Sequence, residues 1–408
     1  MHEEFDILIA GGGMVGGTLA AALANGPWRI GVIESRPFGA VDQPSFDERT
    51  IALAFGSRRI LEAIGIWPAL SKQAAPILHI HVSDSGHFGA AHVDAKEQNV
   101  QALGYVVANR LIGGALMPLL AHSKKVDLIS PATLEASENE GESVGVRVRT
   151  PDGVRHLRAR LLVAADGSFS PLRSDLKIPT REENYKQSAV IANVSVSHPA
   201  PGTAFERFTD SGPLALLPLG GERYSLVWTQ RTETVEEIMA LEDTEFLNAL
   251  QLRFGWRMGR FLAVGKRSVY PLMLIRAERA WRDRTVLVGN ALHSLHPVAG
   301  QGFNLALRDV AALVDVLTEA DDPGDSKVLR RYQHLREPDM TRVIRFTDFL
   351  ARVFARRAPF LGHVRAAGLL LADWNPLLNR LLARQNMGLA AGHPSRLLSG
   401  QEPIWRQN

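Results

Sequence analysis

Cysteine is absent from the 408 residues, which excludes disulfides, thiolate metal sites and a cysteine nucleophile, and fits a reducing compartment. No run of 18 apolar residues occurs, so no membrane-spanning helix is expected. The N-terminus lacks a basic region followed by an apolar run and a small-residue cleavage site, so no secretory signal is expected. A net charge of only +3 argues against a general polyanion binder, and no nucleic-acid partner is expected. His79 and His81 alternate on one strand face, as metal ligands can. No Cys or carboxylate of fitting spacing accompanies them, so they read as sheet residues and no metal site is expected.

What is present is ordinary in bulk: 46% hydrophobic and 22% charged residues, in a length that allows about two domains. The charge is uneven. From Arg330 to Asn408 the chain carries 13 Arg, no Lys and 5 acidic residues.

The most informative stretch is near the start. Phe5 to Ala10 reads as a short buried strand and Met14 to Asn25 as a helix of small apolar residues, with Gly11, Gly13 and Gly16 spaced Gly-x-Gly-x-x-Gly. The first glycine permits a tight turn, the second lets a pyrophosphate approach the backbone, and the third lets helix and strand pack closely. The helix N-terminus then offers free N–H groups and the positive end of its dipole. Glu34 closes the next strand, Arg29 to Ile33, where a carboxylate can accept both ribose hydroxyls of an adenosine. Strand, helix and acid together point to dinucleotide binding.

Further along, Phe55 to Leu70 has helical spacing, and Ile77 to Ser83 with His87 to Val93 reads as a hairpin joined by Asp84-Ser85-Gly86. Val106 to Leu120 reads as a helix, and Leu161 to Ala165 as a buried strand ending in Asp166-Gly167. From Ser188 to about Ala280 strand follows strand, interrupted by one helix over Val235 to Phe254. The expected architecture is therefore α/β. A Rossmann-like nucleotide domain (1–76, 96–180 and 282–330) is interrupted by a mainly antiparallel β-sheet substrate domain (181–281). That domain receives the 77–95 hairpin, and an Arg-rich helical region (331–408) follows.

Two more motifs make the first specific. Asp166-Gly167-Ser168-Phe-Ser170-Pro-Leu-Arg173 follows a buried strand, and Gly289-Asn290-Ala-Leu-His293-Ser-Leu-His296-Pro297-Val-Ala-Gly300-Gln301-Gly302-Phe303-Asn304 leads from a strand through a polar loop into a helix. Gly300 and Gly302 would let a flat ligand lie against the backbone, with the following helix aimed at its edge.

In this order the three motifs resemble those of FAD-dependent aromatic hydroxylases of the para-hydroxybenzoate hydroxylase type, over most of the chain. His81-Val-Ser-Asp-Ser-Gly-His87, Ala204-Phe-Glu-Arg-Phe-Thr209, Gly212-Pro-Leu-Ala-Leu-Leu-Pro218 and Phe254-Gly-Trp-Arg-Met-Gly259 are similar to the ubiquinone-biosynthesis branch, most of all to 2-polyprenyl-6-methoxyphenol hydroxylases. The resemblance implies noncovalent FAD held by Gly11, Gly13, Gly16 and Glu34, with contacts from Arg49, Arg110, Asp166, Gly167, Asn290 and Pro297. Gly300, Gln301 and Gly302 would face the isoalloxazine. The wider family has Gly-Asp where this chain has Gly289-Asn290, so that contact loses a charge.

With only one dinucleotide fingerprint, NADPH or NADH is implied as a transient donor without a fold of its own. The implied chemistry is oxygen transfer from a flavin C4a-hydroperoxide, formed with O2, to the ring of a polyprenylated phenol. Alternatives are a flavin-dependent reductase or dehydrogenase of an isoprenoid, or a nonenzymatic flavin-bearing scaffold. No catalytic base is assigned. His293 and His296 lie beside the expected flavin loop, where capping or packing the loop is an equal reading. A lipidic substrate implies collection from a bilayer, so the chain is expected in the cytoplasm, with the C-terminal region either contacting the inner membrane face peripherally or packing on the FAD domain or another subunit. Association with other ubiquinone-biosynthesis proteins is the remaining partner expectation.

Overall fold

Glu3–Ala10 lies at the centre of an eight-stranded sheet, paired in parallel with Gly153–Ala164 on one side and Ile30–Ile33 on the other. The computed structural model describes residues 3–38, 49–295, 300–355, 359–390, 395–403 and 405, without side chains at 351–355 and 359–365. Val126–Ile129 and Thr285–Leu287 extend the sheet in parallel, and Trp281–Arg282 adds an antiparallel edge. Ile7, Leu8 and Ile9 are fully buried, as expected of a parallel strand covered on both faces. The helix Met14–Leu23 packs against Asn109–His122 and Gln301–Thr318.

A nine-stranded sheet forms a second layer. Its main path runs His293–Ser294, Ser268–Ala277, Thr180–Val196, Arg223–Arg231, Gly212–Gly220, Thr203–Thr209, His79–Asp84 and Ala90–Asp94. The pairs are antiparallel except Thr203–Thr209 with His79–Asp84. One face is closed by the helix Asp243–Phe254. Phe205, Leu216, Leu226 and Trp228 are buried there with Phe246 and Phe254. A three-stranded sheet of Thr50–Ala54, Gly104–Ala108 and Ala75–Ile77 lies toward the other face, where Ala52 and Val106 cluster with Ala204 and Leu217. The chain ends in long helices: Ser326–Ala355, Pro359–Trp374 and Pro376–Asn386.

Three elements differ from the sequence reading. The helix expected from Val106 starts at Asn109, because Gly104–Ala108 is claimed as a strand by Thr50–Ala54. The segment from Phe55 breaks at Gly65, whose φ of 92° ends the helix and whose amide caps Leu61 and Glu62 carbonyls. Val235 to Phe254 divides into Val235–Ala240 and Asp243–Phe254. A reciprocal capping box between Glu242 and Glu245 starts the second helix afresh.

Candidate functional site

Gly11 has φ 103°, and a Cβ there would lie 2.4 Å from the Ala165 carbonyl oxygen. A Cβ on Gly16 would lie 1.9 Å from the Gly11 carbonyl oxygen. Neither position admits a side chain, so turn, helix and adjoining strand are locked together. Gly13 precedes the helix without a side-chain cap, which leaves first-turn amides available to an anion. The Glu34 carboxylate lies over this turn. It accepts the Gly12 amide at 2.8 Å with Oε2, and the Arg36 amide and Ser35 hydroxyl with Oε1.

Asp166 adjoins the same turn. Its Oδ2 accepts the Leu172 amide at 3.2 Å, while Oδ1 is buried with no hydrogen-bond partner. Burial pushes its carboxyl above the usual range, against hydrogen bonds that pull the other way. A buried acceptor without a donor is costly, and a ligand hydroxyl at this point would satisfy it. The glycine cradle and this orphaned oxygen fit a dinucleotide. Gly167, with φ 92°, turns the chain toward Ser168. The buried Arg173 then ties this loop to the third motif, donating to the Ser168 and Ala291 carbonyls.

In the third motif Asn290 is exposed and Gly289 buried, with the Gly289 amide donating to Asp309 Oδ2. Gly300 has φ 60° and begins the helix Gln301–Thr318. Asn304 fixes this corner: Nδ2 donates to the Gly300 and Ala52 carbonyls at 2.7 and 2.8 Å, and Oδ1 accepts the Ala54 amide. Gln301 is buried in the first turn. Gly302 lies in the first turn of this helix, and a Cβ there would point into open space. The left-handed backbone belongs to Gly300. His296 and Pro297 lie outside the described residues.

His293 is enclosed. Its Nε2 lies 2.7 Å from Asp309 Oδ2, both side chains fully buried, and Nδ1 has no partner. Asp309 Oδ1 accepts Arg336 Nε, and Asp339 accepts from Arg308, Arg336 and Arg342. Burial opposes ionisation of Asp309, but His293 and Arg336 overcome it and hold the carboxyl below its usual range. This buried network fixes the helix Gln301–Thr318 against the one that follows. Sequence reading missed its second half, because Arg336 and Asp339 carry no motif.

Arg49 and Arg110 lie on neighbouring segments, the Asn109 amide donating to the Arg49 carbonyl. The Arg49 guanidinium stacks over the Tyr270 ring at 4.8 Å, linking the first motif region to the nine-stranded sheet. Arg110 is exposed on the first turn of Asn109–His122. Around Tyr270 the open face of the nine-stranded sheet is unlike its closed face. One cross-strand row runs Val82, Glu206, Ala215, Val227, Ile191 and Ser268. Every member is half-buried. The helix Asp243–Phe254 covers the opposite face and leaves this one partly accessible. His79 pairs with Asp94, and no cluster of His, Cys, Asp or Glu suited to a metal occurs among the described residues.

A model of the FAD binding domain family matches residues 4–347. The chain is 38% identical to ubiquinone hydroxylase UbiL of Rhodospirillum rubrum, covering 97% of this chain and 92% of that protein. It is 32% identical to the 3-demethoxyubiquinol 3-hydroxylase of Escherichia coli, over 95% and 100%. In fold it is similar to p-nitrophenol 4-monooxygenase PnpA of Pseudomonas putida, with TM-score 0.79 and 19% identity over 96% of this chain and 100% of that one.

Proposed function

The chain belongs to the FAD binding domain family, matched from residue 4 to 347, and from that footing we propose that it is an FAD-dependent, NAD(P)H-using monooxygenase that hydroxylates the ring of a polyprenylated phenol in ubiquinone biosynthesis. The observation that carries this reading is near-full-length similarity to ubiquinone hydroxylases, joined to a glycine turn that admits no side chain and the partnerless Asp166 Oδ1 beside it. When bound, FAD supplies electron transfer from NAD(P)H and the activation of O2.

The protein's part is to hold and enclose. In this reading Gly11, Gly13 and Gly16 receive the pyrophosphate, Glu34 the adenosine ribose, and the unpartnered Oδ1 of Asp166 a hydroxyl of the cofactor. Asn290 contributes a neutral contact. Gly300, braced by Asn304, sets the backbone against the flat ring, with Gln301 and Gly302 opening the helix behind it. Arg49 and Arg110 are assigned to cofactor contacts. His293, enclosed and bonded to Asp309, positions the helix rather than serving as a base.

The same reading divides the chain into an FAD-binding unit (1–76, 96–180, 282–330), a substrate unit (181–281 with the 77–95 hairpin) and a helical C-terminal region. The substrate unit supplies the apolar wall that excludes water while the ring is oxygenated. No helix among the described residues is long and apolar enough to cross a membrane. In this reading the lipidic substrate is collected by peripheral contact at the inner membrane face, through the exposed Trp374, Leu377 and Leu381. The deciding experiment supplies the FAD-loaded protein with NAD(P)H, a short-chain prenylated methoxyphenol and O2 labelled with heavy oxygen. Labelled phenol product is expected. NAD(P)H oxidation with no label in product would instead mark a reductase.

A further inference from the structure

Glu206 is the acidic member of the half-buried row on the face left uncovered by Asp243–Phe254. Its register neighbours on the two adjacent strands are Val82 and Ala215, with Val227 one strand further on. The rows on either side place it between the Gly300 corner and the Arg49–Tyr270 stack. On one side Ala204 and Leu217 cluster with Ala52, whose carbonyl is held by Asn304 beside Gly300. On the other, the neighbouring row reaches Tyr270, against which Arg49 stacks. Phe205 and Arg207, the adjoining residues of the strand, point to the opposite side. Phe205 is buried there under Phe254, and Arg207 donates to the Arg253 carbonyl.

The side chain lies among apolar neighbours, and the residue keeps part of its surface accessible. Among the described residues it makes no hydrogen bond or ion pair. Among the described side chains, no charge on the two flanking strands or on Ser326–Ala355, which also packs on this strand, stabilises the ionised form. Burial alone pushes its carboxyl up to about 7. A carboxyl so placed exchanges a proton near neutrality, as acid–base catalysis at that pH requires.

We infer that Glu206 is the proton acceptor for the hydroxyl of the phenol undergoing oxygenation. This rests on the hydroxylase reading. The phenol O–H bond breaks and its proton passes to the carboxylate, while the O–H electron pair is drawn into the ring. A ring carbon then bonds to a hydroxyl derived from O2. The other oxygen atom leaves as water, with the two electrons supplied by NAD(P)H. That carbon loses its own proton to solvent, the ring becomes aromatic again, and Glu206 returns its proton to the original phenol oxygen. The carboxylate is regenerated each turnover.

The test uses the full chain loaded with FAD, 2-methoxyphenol bearing a geranyl chain ortho to the hydroxyl, NAD(P)H and heavy-isotope O2. Labelled product per NAD(P)H consumed is measured from pH 5.5 to 9. Glu206→Gln should keep its FAD and its NAD(P)H oxidation, form product about 100-fold more slowly, and lose the rise in rate through pH 7. Glu206→Asp, which retracts the acid, should lose about tenfold and keep a titrating limb. Product formation by Glu206→Gln within about threefold of wild type, with the same pH profile, overturns the inference and leaves the hydroxylase reading standing. Wild type that holds FAD but labels no product overturns both. If the Gln variant does not hold FAD, the Asp variant decides, and an unchanged rate and profile there overturns the proposal.

Discussion

The Glu34 carboxylate accepts from Gly12, Ser35 and Arg36, and its replacement separates that role from the ribose contact proposed for it. Oε2 already holds the Gly12 amide, so the residue organises the turn before any ligand arrives, and its remaining lone pairs are what a ribose would meet. Charge-assisted hydrogen bonds of this kind contribute about 1–3 kcal/mol. Glu34→Ala is therefore expected to weaken FAD roughly 5- to 150-fold, and Glu34→Gln less, since the amide oxygen still accepts from Gly12. Flavin-fluorescence titration of the apoprotein measures both. Equal affinities for wild type and Glu34→Ala would mean that the ribose is held elsewhere.

Residue by residue, the glycines and acids of the motifs were legible because their spacing states a steric demand. Gly11 and Gly16 meet that demand with distances no side chain tolerates. Gly300 takes the left-handed cap of its helix, a distinction between it and Gly302 that the motif alone does not draw. Glu206 was not legible. Ala204-Phe-Glu-Arg-Phe shows that Glu206 and Arg207 point opposite ways, but not which side is open. Only the register with Ala215 and Val227 shows that.

At the scale of elements, strands with alternating patterns were readable and their partners were not. Gly104–Ala108 adjoins a helix, and its sequence alone blends into that helix; pairing with Thr50–Ala54 makes it a strand. The hairpin of His79–Asp84 and Ala90–Asp94 was readable from its turn, whereas its parallel docking on Thr203–Thr209 was not. That docking buries His81, which is only 5% exposed, and leaves its Nε2 without a partner. Burial first, then the charges of Arg257, His92 and Arg207, lower its pKa from 6.5 to about 4. Because the folded state binds this proton less readily than the unfolded chain, the stabilisation is complete above pH 6.5. It is lost as the pH falls from there through about 4. Hydrogen-exchange protection factors of residues 79–94, which correct for the intrinsic pH dependence of exchange, should therefore fall over that window in wild type and much less in His81→Leu. Identical acid profiles for the two proteins would assign the loss to other groups.

At the scale of the molecule, the open question in the sequence was where an Arg-rich, apolar C-terminal region turns its surface. Arg345 is exposed, but Arg342 is engaged by Asp339 in the buried network. Arg356 and Arg357 lie outside the described residues, as does the side chain of Arg352. The apolar surface lies further on. Where Pro359–Trp374 turns into Pro376–Asn386, Trp374 is 88%, Leu377 72% and Leu381 68% exposed, with Leu371 and the exposed Arg380 and Arg384 beside them. Leu377, Leu381 and Arg384 recur at helical spacing on one face, so apolar side chains project together with guanidinium groups at their margin. Such a face suits an anionic bilayer: buried apolar area holds it there, and each Arg near the surface adds about 1 kcal/mol. The helix carrying Trp374 also packs on the hairpin, through Asp373 to His92, so a bilayer bound there would lie beside the substrate sheet rather than at the nucleotide end. Wild type is expected to sediment with phosphatidylglycerol vesicles at low salt. A Trp374→Ser, Leu377→Ser, Leu381→Ser variant should stay in the supernatant with its FAD intact. Equal sedimentation of both would exclude this face as the membrane contact, and a wild-type dimer that the variant converts to monomer would make it a subunit interface instead.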